Sequence, residues 1–155
     1  MTRKEQVPDS WSGYGEFAAL VEAYDGLTYW FERGYGATFR FWLAEGIEKE
    51  KGRHPYRYEL VLHDPGNKRI LGYDNAHPIK WKSGKFKHRS ENPDHYHRDR
   101  SDTGRPYEFM SLTKLLSDFF SRTTQVLQQL NVSSDITEIT PTPRTNLPRS
   151  SNENH

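Results

Sequence analysis

The sequence predicts one α+β domain of two layers, a curved antiparallel sheet of four or five strands packed against one long C-terminal helix. Three observations carry that prediction. Leu112, Leu115, Leu116, Phe119, Phe120, Val126, Leu127 and Leu130 hold helical spacing over about five turns. Tyr56, Tyr58, Leu60 and Leu62 alternate with Arg57, Glu59, Val61 and His63, the period of a strand. Between that run and Arg69 to Tyr73 lies Asp64-Pro65-Gly66-Asn67-Lys68, turn chemistry that folds the two runs into an antiparallel hairpin. With 155 residues and 33% apolar content, the chain has material for one core.

The elements follow in order. Residues 1–13 are expected to be a flexible N-terminus, and 14–130 the domain. Phe17, Leu20, Val21 and Tyr24 stand at i, i+3, i+4 and i+7, so residues 15–25 form a short helix ended by Gly26. Two aromatic-rich strands follow at 27–32 and 38–45, with Gly34 and Gly36 in the bend between them. After the hairpin, Gly72 marks either a bulge or a close backbone approach. Residues 78–105 have no sustained period and read as a long loop with a short extended piece at 95–98, the kind of loop that tends to be functional or disordered. Tyr107 and Phe109 supply a final strand. Ser111 caps the long helix by its hydroxyl alone, because Lys114 stands where a capping box needs an acid. Residues 131–155 carry few large apolar groups among Ser, Thr, Asn and Pro, so a disordered polar tail is expected, with the domain intact when it is removed after Leu130.

Composition excludes several function classes. Without cysteine there is no disulfide framework, thiolate zinc site or cysteine nucleophile, and only histidine and carboxylate remain as side-chain metal ligands. The chain has no run long and apolar enough to span a bilayer and no apolar leader segment, which makes the cytoplasm the expected compartment. It also lacks a phosphate-binding loop, a dinucleotide fingerprint, a nucleophile elbow and a zincin motif. The net charge is only +1, but Lys80 to Arg105 holds eight Lys or Arg against four acids, a stretch suited either to a polyanion or simply to solvent.

Chemistry concentrates in the same region. His77, His88, His95 and His97 lie close in sequence to Asp74, Asn75 and Asp94. If 94–98 is extended, His95 and His97 share one side of the strand, and Tyr96 is the more natural residue to bury. Two chemistries would use them. In one, an imidazole takes the proton of an RNA 2′-hydroxyl while the other protonates the leaving 5′-oxygen, with Asp94 or Asp74 orienting a ring and Arg98 or Lys87 facing the phosphate. In the other, His95, His97 and Asp74 or His77 gather a divalent ion. The first is preferred and the expected metal and cofactor complement is none: Lys87, Arg89 and Arg98 oppose a hard cation, and spacing alone fixes no third ligand. Lys80, Trp81, Lys82, Lys87 and His88 are the expected substrate-binding residues, with Trp81 placed to stack on a base. The reading from another class is a non-catalytic adaptor that binds protein or nucleic acid through this basic loop and the aromatic residues.

The words YRYELVLHD at 56–64, RILGYDNAH at 69–77, DHYHR at 94–98, RPYEF at 105–109 and LLSDFF at 115–120 occur in an order that resembles the TumE-like family, toxin components of bacterial toxin-antitoxin pairs. The family pattern of a hairpin ending in Tyr-Asp-Asn-Ala, a His-x-His element, a short strand and a Leu-Leu-x-Asp-Phe helix falls here on Tyr73 to Ala76, His95 and His97, and Leu115 to Phe119. The resemblance implies a growth-inhibiting toxin with a helix-turn-helix antitoxin partner, and it adds weight to Asp74, His95 and His97. RNA is the expected target, and an edge strand at 105–109 is a surface on which a second copy or the antitoxin would pair.

Overall fold

The computed structural model describes residues 14–44, 55–75, 94–97 and 104–143. Helix α1 (Tyr14–Tyr24) leads through Asp25 and Gly26 into β1 (Leu27–Trp30). A 3-10 turn at Glu32–Gly34 precedes β2 (Gly36–Leu43), which is followed by β3 (Tyr56–His63), β4 (Arg69–Asp74), β5 (His95–His97) and β6 (Arg105–Pro106). Helix α2 (Leu112–Gln129) and β7 (Glu138–Pro141) complete the described elements. The seven strands form one sheet in the order β6-β5-β4-β3-β2-β1-β7, every neighbouring pair antiparallel. The class is the expected α+β, with more strands than the sequence foretold.

Local chemistry sets the turns. Gly26, at φ +78°, reverses the chain after α1, and the Asp25 carboxylate accepts from Phe41 N–H at 2.8 Å, tying the helix end to β2. Burial pushes the Asp25 carboxyl up, against the lowering effects of that hydrogen bond and of Arg40. In the β3–β4 turn the Asp64 carboxylate accepts from the N–H groups of Gly66 and Lys68, and Asn67, rather than Gly66, takes the positive φ. The register between β3 and β4 slips at Leu62/His63, so Ile70 is the extra residue. Gly72 is instead a place of close approach, where an added Cβ would lie 3.0 Å from Arg69 Cδ and 3.7 Å from His97 Cδ2.

The core lies between the sheet and α2. Ala37, Phe39 and Phe41 on β2, Tyr58, Leu60 and Leu62 on β3, and Leu71 and Tyr73 on β4 face Leu112, Leu115, Phe119 and Leu127. The Phe119 ring meets Phe39 at 5.7 Å and Tyr73 at 6.0 Å, both edge-on, the arrangement aromatic quadrupoles favour. Helix α1 adds Phe17, stacked on Tyr56 at 5.3 Å. Ser111 Oγ accepts from Lys114 N–H at 3.0 Å, the simple hydroxyl cap, while Glu16 of α1 accepts from Thr113 and so brings a carboxylate to the same helix end.

Two expectations are corrected here. The strand before the long helix is Arg105–Pro106 rather than Tyr107 to Phe109, and the last strand is β7, although Tyr107 N–H still bonds Asp94 C=O at 3.0 Å. Residues 131–143 are not a disordered tail. Asn131, at φ +61°, ends α2 in a Schellman arrangement: its N–H bonds Gln128 C=O and the Val132 N–H bonds Leu127 C=O, while Val132 and Leu127 are both buried. Beyond this, Ser133 N–H bonds the Glu32 carboxylate, Trp30 Nε1–H donates to Thr140 Oγ1, and β7 pairs with β1 from Leu27↔Pro141 to Trp30↔Glu138. An apolar tally misses this segment because backbone pairing and side-chain hydrogen bonds hold it. The expectations for residues 1–13 and 144–155 lie outside the described residues.

Deleting the chain after Leu130 therefore removes the partner of β1 together with buried Val132. The deletion is expected to cost about 2 kcal/mol or more, from the Val side chain and the lost pairing, measured by urea unfolding against the full chain. Phe119→Ala is expected to cost about 3–5 kcal/mol in the same assay, because its ring has no exposure and its removal opens a cavity beneath α2.

Candidate functional site

Alternation along the strands sorts side chains onto two faces. The face away from α2 carries Thr28 and Trp30 on β1, Thr38, Arg40 and Trp42 on β2, Arg57, Glu59, Val61 and His63 on β3, Asp74 on β4, and His95 and His97 on β5. This face is polar and yet largely buried: Thr28, Thr38, Arg57, Glu59, His63, His95 and His97 are each less than a tenth exposed. Buried charge demands compensation, and the register supplies it at both ends of a row whose middle sets two acids, Glu59 and Asp74, opposite each other. Arg40 stands opposite Glu59, Glu59 opposite Asp74, and Asp74 opposite His95, one charged row across four strands. The Arg40 guanidinium donates to Glu59 Oε1 at 3.2 Å, and Arg40 also lies over the Trp42 ring at 5.0 Å.

At the end of that row the histidines converge. His95 Nε2 is 3.2 Å from Asp74 Oδ1 and His97 Nε2 is 3.6 Å from Asp74 Oδ2, with the three side chains 4, 8 and 15% exposed respectively for His95, His97 and Asp74. The imidazole centroids are 5.0 Å apart with their planes at 81°. One nitrogen from each ring and one carboxylate oxygen all lie within 4.8 Å of one another. Gly104 packs over the pair: an added Cβ would stand 3.1 Å from His95 Cδ2 and 3.4 Å from His97 Cε1, and its φ of +128° suits glycine. The sequence placed His95 and His97 on one side of an extended piece, as observed, but on solvent-facing grounds; both are buried, and Tyr96 is the half-buried one, stacked on Tyr73 at 5.4 Å on the helix side.

Asp94 takes a different position from the one its sequence neighbourhood suggested. Alternation turns its side chain to the helix side, where Oδ1 accepts from Tyr58 Oη–H at 2.9 Å and from Asn75 Nδ2–H at 2.8 Å. Burial, followed by the Asp94 charge and hydrogen bond, holds the Tyr58 hydroxyl well above its usual pKa, so it stays a donor. Asn75 also donates to Tyr56 C=O at 2.8 Å and accepts from Tyr58 N–H at 3.0 Å, continuing the β3–β4 ladder with a side chain. Arg98, Lys80, Trp81, Lys82, Lys87, His88 and His77 lie outside the described residues. The sequence reading missed Arg40 and Glu59 as members of the charged row; the signal was the alternation itself, which placed Glu59 on the same face as a polar partner set.

A family profile described as toxin TumE matches residues 38–127, more than half of the chain. The chain belongs to the TumE toxin family. The matched TumE segment runs from β2 through most of α2 and contains Asp74, His95 and His97, whereas β1 and β7 lie outside it. No curated protein and no solved structure is detectably similar to the chain. No helix among the described residues of this TumE toxin is long and apolar enough to cross a membrane.

His63, on the same polar face, gives the site region a pH signature. Its Nδ1–H donates to Asp64 C=O at 3.2 Å, and the ring stands edge-on to Trp30 at 5.6 Å. Burial lowers its pKa below the usual 6.5, against a raising effect from Asp64. Below 6.5 the unfolded chain takes up a proton that the native ring resists, so stability is full above that pH and declines as pH falls toward the native value. His63→Gln is expected to flatten this part of the stability profile, read by urea unfolding between pH 7.5 and 5, values chosen as about one unit or more either side of an ordinary histidine.

Proposed function

We propose that this TumE toxin is an RNA-cleaving growth inhibitor whose catalytic group is Asp74, His95 and His97, held in check by a helix-turn-helix antitoxin. The observation that supports this is the convergence of two imidazoles on one carboxylate, on a sheet face where ordinary packing would place apolar groups. Burying three ionisable side chains together costs stability, and functional sites are where such arrangements concentrate. Imidazole and carboxylate are the donor types that cut phosphodiesters, either by moving protons or by holding an ion that does so. The lysine-rich segment between β4 and β5 is assigned to the RNA backbone, and Trp81 to a base, on the composition of that segment.

The double substitution His95→Ala with His97→Ala separates catalysis from the adaptor reading. Growth arrest on induction and cleavage of cellular RNA are both expected to fall to background, while the far-ultraviolet dichroism spectrum and antitoxin co-purification are retained. A double variant that arrests growth as strongly as the wild type would overturn the catalytic assignment and favour the adaptor.

A further inference from the structure

We infer that Asp74, His95 and His97 form a binding site for one borderline divalent transition-metal ion, with zinc the best fit to the donor set. The inference deepens the proposed function and takes its chemistry from it. It also reverses the preference drawn from the sequence, where no third ligand was fixed. The register now fixes one: Asp74 stands directly across from His95, and His97 lies across from Gly72, over which the Arg69 side chain passes.

The distances place the three groups within reach of one ion. A charge-assisted N–H···O bond closes to about 2.7–2.9 Å. The two imidazole-to-carboxylate distances are 3.2 and 3.6 Å, both longer. The two go to different carboxylate oxygens, Oδ1 and Oδ2, and one ligand atom from each side chain lies within 4.8 Å of the others. A small turn of the side chains would gather them on one ion, where the ligand-to-ligand edge is about 3.3 Å when zinc bonds to nitrogen and oxygen are about 2.0–2.1 Å. Two imidazole nitrogens and one carboxylate oxygen select zinc, nickel, iron or manganese over magnesium or calcium, which prefer oxygen donors. Three protein ligands also leave a coordination position for water, the pattern of a catalytic rather than a structural centre.

The surroundings supply what such a centre needs around it. Glu59, in register with Asp74 and paired to Arg40 at 3.2 Å, continues the charged row on the side away from the histidines. Gly104 leaves room for both rings, since an added Cβ would stand 3.1 Å from His95 Cδ2 and 3.4 Å from His97 Cε1. A bound ion would lower the pKa of its water so that a hydroxide is present near neutral pH. The hydroxide oxygen then bonds to the phosphorus of an RNA phosphodiester, the bond from phosphorus to the leaving ribose oxygen breaks, and that oxygen takes a proton from water. Every atom comes from substrate and water.

The test uses the full-length chain from cell-free synthesis, stripped with chelator and titrated with zinc chloride by calorimetry, with bound metal counted by mass spectrometry. One ion per chain and a rise in melting temperature on loading are expected. Asp74→Ala, His95→Ala and His97→Ala should each weaken binding by about a hundredfold or more, beyond the range seen when only a ligand's supporting partner is lost. His63→Gln, which removes a buried histidine elsewhere on the same face, should leave it unchanged. His95→Asn serves as a second variant if alanine disturbs the fold, judged by the dichroism of the metal-stripped protein. Absence of a stoichiometric ion, or binding indifferent to all three substitutions, would overturn the site. Cleavage of RNA in chelator with no ion bound would also overturn it while leaving the proposed function standing. An ion bound at these residues with no cleavage of any RNA would overturn the proposed function and leave the site standing.

Discussion

Asn75 is the residue on which the arrangement of this molecule turns. Its amide bonds Tyr56 C=O, Tyr58 N–H and Asp94 Oδ1, and Asp94 in turn accepts from the Tyr58 hydroxyl. The described part of strand β5 is three residues, and the Asn75 contacts add to its ladder bonds in fixing its register. The lock between Asn75, Asp94 and Tyr58 holds the residue just before β5, and that choice puts His95 opposite Asp74. A slip of one residue would send both imidazoles to the helix side and Tyr96 to the polar face. Asp94, expected to orient a histidine directly, thus acts on the histidines through the backbone that carries them.

The second organising fact is that the sheet has two buried faces of opposite character. The helix side is closed by aromatic rings whose edges and faces interleave around Phe119. The other side holds its charges in a cross-strand row in which Arg40 stands beside Glu59 and His95 beside Asp74, with the two acids opposite each other between them. Tyr107 and Asp118 repeat the pattern where the sheet edge meets α2. There the Tyr107 hydroxyl donates to Asp118 at 2.6 Å; burial raises the hydroxyl's pKa, and the Lys114 and Tyr107 hydrogen bonds outweigh burial to lower that of Asp118. Rigid scaffolding of this kind suits a site whose parts must stay within tenths of an ångström.

Most of the fold was legible because its elements announce themselves locally. The α2 stripe, the β3 alternation and the Asp64 to Lys68 turn each carry enough pattern in a short window to decide their type. What stayed hidden was set by long-range pairing. β7 has little apolar content, and its order comes from β1, more than a hundred residues earlier. The Leu130-Asn131-Val132 signal for a Schellman ending was present, but its meaning depends on Val132 reaching Leu127. The same division holds at the site. His-x-His on an extended piece was readable from spacing, while Glu59 and Arg40 looked like the solvent face of an ordinary strand until the register put them in line with Asp74.

The pairing of β7 with β1 has a consequence in time as well as in space. β1 is the first strand of the sheet to leave the ribosome and β7 the last, so the sheet stays unfinished along the β1 side until translation has passed Pro141. During that interval β1 presents open backbone donors and acceptors to whatever lies nearby. A toxin assembled in this order completes its sheet only after β7 has been made, which leaves a window in which an antitoxin would meet β1 before the sheet is closed.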